Sequence, residues 1–268
     1  VEWLGWCRAA VEAAPQADVH HAHDFEVVPA ASSAARRDGS LYVYDSHEIA
    51  MAWGPILRQP RLLQRFMAAW ERRLARRAAV VLTVGDAIAG ELARRLGLRR
   101  VVAIHNCPPW WQPPAEPEDR IRRALGIAAS VPIVLCHGSF QPNRGIEQTA
   151  EAMLEPGLES AHIVFLGYGA NYIAPILADP RLSGRSHYLP AVPAADVVSW
   201  VAGADVDVVA IGTETMNGRL SVPNKLFECI AARVPAVVSD FGPMRSVILD
   251  PQLGPLGEVC DPTSPASI

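Results

Sequence analysis

Pro132-Ile-Val-Leu-Cys-His-Gly-Ser-Phe-Gln-Pro-Asn-Arg-Gly-Ile-Glu-Gln-Thr-Ala-Glu-Ala-Met-Leu154 decides the fold. It opens with a short apolar run at 132–136, the length of a strand buried on both faces. A glycine-bearing polar loop at 137–145 follows, and helix periodicity then runs over 145–154. The same unit recurs in both directions. Strands are expected at 17–22, 41–45, 80–84, 101–105, 132–136, 162–166, 186–189, 206–211, 235–239 and 257–260. Helices are expected near 2–14, 26–37, 60–78, 86–96, 117–125, 145–154, 171–178, 194–202, 224–232 and 243–249. Val/Ile-rich runs joined by helices specify α/β architecture, with parallel sheets covered on both faces. The rhythm breaks once, at Cys107–Pro117, whose five prolines fit neither a helix nor a sheet. Two doubly wound, Rossmann-like domains follow, 1–113 and 114–268. Ligands are expected outside the carboxyl ends of the strands, in a cleft between the domains.

Composition narrows the function. The chain has 268 residues, of which 50% are hydrophobic and 19% charged, which supplies packed cores and excludes disorder as the main state. No apolar run approaches the roughly 18 residues of a membrane span. The five cysteines (7, 107, 136, 229 and 260) are scattered without a C-x-x-C pair, which speaks against a disulfide framework or structural zinc and points to a reducing, cytoplasmic setting. Residues 1–113 carry 14 arginines and 11 acids, while 114–268 carry 10 basic and 17 acidic residues. A charge of +3 on the first half and −7 on the second does not describe a nucleic-acid binder. Val1 and Ile268 read as the ends of a fragment.

The most informative motif is Ser221-Val-Pro-Asn-Lys-Leu-Phe-Glu228, after a strand and the polar loop 212–220. Pro223 suits a first helical turn, and Ser221 suits a cap. Lys225 then lies where the helix dipole disfavours a cation, which makes sense if an anion docks there. Glu228 is one turn deeper on the same face, placed to accept hydrogen bonds from sugar hydroxyls; an i,i+3 surface pair is the plain alternative. Gly138 and Gly145 permit close backbone approach at the loop that carries Ser139 and Arg144, and Gly167 does so after the next strand; ordinary βα turns would look the same.

In the first half, His20-His-Ala-His-Asp24 and Asp45-Ser-His-Glu48 end two strands and are expected to face one cleft. A zinc site on His21, His23 and Asp45 is the sharp alternative, and is set aside because no third cluster backs it. Asp205-Val-Asp207 resembles a metal-holding D-x-D and is read as strand-edge solvation. Residues 58–77 carry seven arginines and one acid beside an apolar stripe of Leu62, Phe66, Ala69, Trp70 and Leu74. That pattern is read as a solvated helix face, with an anionic lipid surface as the alternative.

These strings together resemble the retaining, metal-independent, nucleotide-sugar glycosyltransferases of the GT-B fold. Asp18–Asp24, Tyr44–Glu48, Val81–Gly85 and Ile104–Pro108 are similar to the acceptor-side domain. His137–Ser139 with Arg144-Gly145, Phe165–Gly167, Asp205–Val209, Pro223–Glu228 and Val234–Asp240 are similar to the donor domain. The resemblance implies that Glu228 binds the donor ribose and that Lys225 and Arg144 lie near the diphosphate. It places the backbone of Gly138 and Ser139 at the phosphates and His23 at the transferred sugar. Gly145, Gly167, Ser221, Pro223, Asn224 and Asn217 join the donor side, and Asp24, Asp45, His47 and Glu48 line the acceptor side. No metal or cofactor is implied, since the nucleotide sugar is a co-substrate and cations with a helix N-terminus stabilise the leaving diphosphate.

Two departures stand out. The family's paired glutamate, eight residues before the ribose-binding one, is here Leu220, with Asn217 or Glu214 as substitutes, and Ser139 stands where many members have a basic residue. The expected activity is sugar transfer from a nucleotide-diphosphate donor to an acceptor hydroxyl with retention. The acceptor is a glycan, a lipid-linked group or a small molecule, with peripheral association at the inner membrane face. An epimerase of the same fold, a catalytically silent sugar-nucleotide binding module and a metal-dependent hydrolase are the rivals.

Overall fold

The computed structural model describes residues 2–115, 118–212 and 214–268. Two compact units emerge, one of residues 1–105 with 215–221 and one of 106–214 with 222–268. The boundary after His105 precedes the proline-rich stretch, where the sequence suggested 113, and 215–221 belongs with the first unit. The expected helix start at 117 lies outside the described residues.

The first unit contains α1 (Glu2–Ala13), β1 (Val19–His23), α2 (Val28–Asp38), β2 (Leu41–Ser46), α3 (Gly54–Leu57), α4 (Arg61–Ala75), β3 (Val80–Thr83), α5 (Asp86–Leu96) and β4 (Val102–Ala103). Its parallel strands lie in chain order, β1-β2-β3-β4. Right-handed crossovers that always step the same way leave their helices on one face of a sheet. Accordingly Ala22, Tyr42, Tyr44 and Val81 share one buried cluster with Val28 and Ala31 of α2, Leu74 of α4 and Leu92 and Leu96 of α5. The alternate residues face outward: Val19 is 49% and Leu41 58% exposed. Among the described residues, the helices packed on this sheet lie on that one face.

The second unit contains α6 (Arg120–Leu125), β5 (Ile133–Ser139), α7 (Ile146–Ala152), β6 (His162–Tyr168), α8 (Ala170–Leu177), β7 (Ser186–Pro190), α9 (Val197–Val201) and β8 (Val206–Val209). The chain then forms α10 (Met216–Leu220), which belongs to the first unit, and returns through α11 (Asn224–Ala232), β9 (Ala236–Ser239), α12 (Gly242–Ile248) and β10 (Gly257–Cys260). The strand order is β10-β9-β8-β5-β6-β7, all parallel where paired. Read from β7 this is the doubly wound order, which reverses between β5 and β8. Separate clusters fill the two faces, one with Cys136, Phe165 and Ile173, the other with Leu135, Val164 and Val201.

The segment 212–220, expected as a polar loop, contains α10. Thr215 caps it by accepting from the backbone N–H of Gly218 at 3.0 Å, and Leu220 packs against the first unit's core. The arginines of α4 are not all a solvated face. Arg72 donates to the carbonyl of Arg95 at 2.7 Å and Arg76 to that of Leu96 at 3.2 Å, satisfying the last carbonyls of α5. Glu71, the one acid there, is buried and accepts from the Tyr44 hydroxyl at 2.9 Å; burial pushes its carboxyl up. Farther along, Leu62 is 81% and Phe66 64% exposed, so the predicted apolar stripe is only partly internal.

Candidate active site

The reversal between β5 and β8 is where a doubly wound sheet opens a crevice at its carboxyl edge. Parallel pairing sets Leu135 of β5 opposite Asp207 of β8. Asp207 has no exposed surface and His137 only 3%. His137 bridges two carboxylates, with Nδ1 at 2.5 Å from Asp207 Oδ2 and Nε2 at 2.8 Å from Glu228 Oε2. Burial alone would lower the imidazole's pKa, but the charge of Asp207 and the hydrogen bonds the ring donates to both carboxylates outweigh it and hold the pKa at about 9. His137 is therefore an imidazolium near neutral pH and donates from both nitrogens. Asp207 was misread as strand-edge solvation. Asp205 fits that description, half exposed and accepting from Arg122 and from the backbone N–H of Ile133 at 2.7 Å each. Asp207 instead anchors the interior.

Helix α11 brings its side chains to this point. Pro223 occupies its N-cap with no side-chain cap, and Ser221, expected as that cap, closes α10 instead. Lys225 is the only lysine in the chain. Desolvation lowers its pKa, Asp207 opposes that, and the Arg144 guanidinium adds to the lowering. Arg144 is half-buried in the loop before α7. Among the described residues neither cation makes a side-chain hydrogen bond or ion pair that satisfies it. Three cations (His137, Lys225 and Arg144) stand against two carboxylates (Asp207 and Glu228), which leaves one positive charge at the mouth. Cys229 lies against Asp207, and burial pushes its thiol well up.

The glycines divide by role. A side chain at Gly145 would stand 2.1 Å from the carbonyl oxygen of Ala210, and one at Gly167 would stand 1.8 Å from that of Gly138. Both have positive φ, 66° and 151°, so packing accounts for them without a ligand. A Cβ at Gly138 would meet only the Lys225 side chain, at 3.9 Å, leaving room beside that ammonium. Ser139 is exposed at the strand end and Asn224 at the start of α11.

In the first unit, the expected acceptor-side residues come together at the ends of β1 and β2. His21 Nε2 lies 3.1 Å from Asp45 Oδ2, and His23 Nδ1 lies 3.1 Å from His47 Nε2. The His21 and His23 rings stack with centroids 4.5 Å apart. Asp24 has a φ of 62°, a conformation aspartate tolerates better than most residues, and its Oδ1 accepts from the backbone N–H of His47 at 2.9 Å. Asp24 and Glu48 also line a pocket of about 230 Å³ with Glu26, Ala50 and Trp53. Asn217, expected on the donor side, sits in this unit: it donates to Glu48 at 2.9 Å and accepts from the N–H of Ile49 at 3.0 Å. Sequence reasoning missed Trp53 and His137. For His137 the sequence carried no decisive signal, since its role rests on the burial of Asp207, which alternation along a strand does not reveal.

Comparison with known proteins agrees with this architecture. A family profile described as glycosyl transferase 4-like domain matches residues 1–107, and one described as glycosyl transferases group 1 matches residues 131–267. No curated protein sequence matches the chain. Among solved structures, HepE from Anabaena in complex with UDP aligns with a TM-score of 0.71 at 16% identity over 99% of this chain and 69% of its own. Sucrose-phosphate synthase from Thermosynechococcus elongatus aligns with a TM-score of 0.73 at 16% identity over 99% of this chain and 66% of its own. A glycosyltransferase from Rickettsia africae gives 0.72 at 14% identity, over 99% and 68%. The chain thus spans about two thirds of the length of these structures. The fold is GT-B, built of two parallel-sheet α/β units.

Proposed function

The chain belongs to the glycosyl transferases group 1 family, and from that premise we propose that it moves a sugar from a nucleoside-diphosphate donor to an acceptor hydroxyl with retention of configuration. The observation that carries this reading is the cationic mouth at the β5–β8 reversal, where, among the described residues, neither Lys225 nor Arg144 makes a side-chain ion pair, although Asp207 and the Glu228 carboxylate held by His137 lie close by. A diphosphate supplies the missing negative charge, and the ribose hydroxyls supply donors for the free oxygen of Glu228. As the glycosidic bond breaks, charge grows on the departing diphosphate, and two fixed cations stabilise it without a metal. His137 and Asp207 position Glu228 rather than touch the donor. The likeness to a structure holding UDP makes UDP the first nucleotide to try.

On the acceptor side, His23 would contact the transferred sugar. The pocket of Trp53, Asp24, Glu26 and Glu48 suits an acceptor with several hydroxyls, since carboxylates accept from vicinal hydroxyls and an indole face packs on a sugar ring. Leu220, at the position of the family's second glutamate, packs in the core, so Glu228 carries the sugar-nucleotide contact alone. Peripheral association with an anionic membrane is part of the proposal, supported by the exposed Leu62 and Phe66 on the arginine-rich α4. No helix among the described residues is long and apolar enough to cross a membrane.

Calorimetric titration with UDP, GDP and ADP tests the donor reading. One nucleotide should bind in the presence of EDTA, and a Lys225→Ala/Glu228→Ala variant should lose it. Equal binding by that variant would refute the assignment.

A further inference from the structure

We propose that Arg72, Arg73, Arg76 and Arg77 form a binding site for a phosphate monoester at the end of α4 in the first unit. With Ala69 they line a pocket of about 300 Å³, the lower end of the size range of small-ligand sites. No carboxylate stands among the lining residues. Glu71, the one acid of α4, is buried and held by Tyr44. Glu91 of α5 is taken by Arg94 and Arg95, at 2.6 and 2.5 Å.

Arginines gather at helix ends for a plain reason, so the count of charges decides. Arg72 donates Nε and Nη2 to the carbonyl of Arg95 at 3.1 and 2.7 Å, and Arg76 donates Nε to that of Leu96 at 3.2 Å. These bonds fix two guanidinium groups against the last turn of α5. Gly97 permits the second, since a Cβ there would stand 2.5 Å from Arg76 Nη2. Arg73 and Arg77 are exposed and make no side-chain hydrogen bond or ion pair among the described residues. A helix C-terminus carries about half a negative charge, so the ends of α4 and α5 offset about one of the four positive charges. About three remain, and arginine does not shed its proton. A phosphate monoester brings close to two negative charges and three oxygens that accept paired N–H donors from guanidinium forks. A phosphodiester, with a single charge, would leave most of the excess standing.

The monoester can come free or on a lipid. Leu62, Phe66, Ala69 and Arg73 follow one another at spacings of four, three and four residues, which puts them along one line of α4. Leu62 and Phe66 are exposed on that line, while Met67, Trp70 and Leu74 pack in the core. A lipid with its headgroup in the pocket would find apolar contact one and two turns up the helix. It would give the membrane association proposed above its headgroup chemistry, and the site itself stands whether or not the chain transfers sugar.

The test uses a Lys225→Ala/Glu228→Ala background, so that the nucleotide site cannot answer for this one. Equilibrium dialysis with radiolabelled glycerol 3-phosphate reads the free ester. Sedimentation with phosphatidylcholine vesicles containing phosphatidic acid reads the lipid ester, with phosphatidylglycerol as the diester control. At least one monoester probe should bind, and which one names the source. Ala69→Glu places a carboxylate one turn before Arg72 and Arg73, a spacing that favours the helix, and should weaken binding about tenfold or more. Arg73→Gln/Arg77→Gln, which removes no hydrogen bond or ion pair among the described residues, should weaken it alike. Undiminished binding in either variant would overturn the site. So would an absence of bound glycerol 3-phosphate together with equal sedimentation by the two anionic vesicles, a result that needs no variant to fold.

Discussion

The two units end their strands in the same residue types and put them to opposite uses. In the second unit, His137 and Asp207 are buried at the point where strand order reverses, so the imidazolium and its two carboxylates are obligatory partners. In the first, three histidines surround Asp45 at the strand ends with their side chains about half exposed, where solvent screens every pair. A low-dielectric setting makes a broken pair expensive, while a surface pair contributes little. Burial, rather than composition, decides which of the two clusters is fixed scaffold.

The largest expected effect falls on the buried side. Asp207→Ala strands a buried cation and should cost about 3–5 kcal/mol, read from hydrogen exchange of the β5 and β8 amides. Asp45→Ala should cost under about 1 kcal/mol in the first unit. Equal costs would break the comparison. Next, Glu228→Gln keeps the shape but removes a charge-assisted acceptor, and should weaken nucleotide binding by about tenfold or more in calorimetry.

A pH series sharpens the same contrast. The pKa of His137 stands at about 9, above its ordinary 6.5. Its stabilisation is therefore fully present below about 6.5 and lost as pH rises through about 9. Nucleotide affinity and second-unit stability should fall together across that upper range, and His137→Gln should flatten both profiles. The smallest expected effect is Asn217→Ala, about 1 kcal/mol in the first unit with nucleotide affinity unchanged, because its partners are Glu48 and Ile49.

Much of this was legible in the sequence. Short β-rich runs separated by helical stretches locate all ten described strands, most of them apolar because parallel strands are buried, although β1 (Val19–His23) and β7 (Ser186–Pro190) carry polar residues. Helix α10 was not legible, since five residues, Met216–Leu220, carry no periodicity and its anchors, Thr215 and Leu220, declare themselves only in three dimensions. The role of Asp207 was hidden because alternation along a strand does not say which face is buried. The glycines at 145 and 167 read equally well as a phosphate cradle and as tight turns, and the carbonyls of Ala210 and Gly138, which fill the space a side chain would need, require glycine under either reading. Pro223–Glu228 was read correctly as a helix start bearing Lys225 and Glu228, whose shared face follows from 3.6 residues per turn alone.

The central claim is that Lys225 waits for a nucleotide diphosphate. It is the only lysine in the chain, and its lowered pKa leaves more of the amine neutral and able to form a Schiff base. Pyridoxal phosphate followed by borohydride, mapped by mass spectrometry, reads that one side chain against the N-terminal amine as an internal reference. The account predicts that Lys225 is labelled and that one of UDP, GDP or ADP suppresses this while the N-terminus is unaffected. Labelling of Lys225 at the same rate with and without every nucleotide would contradict it.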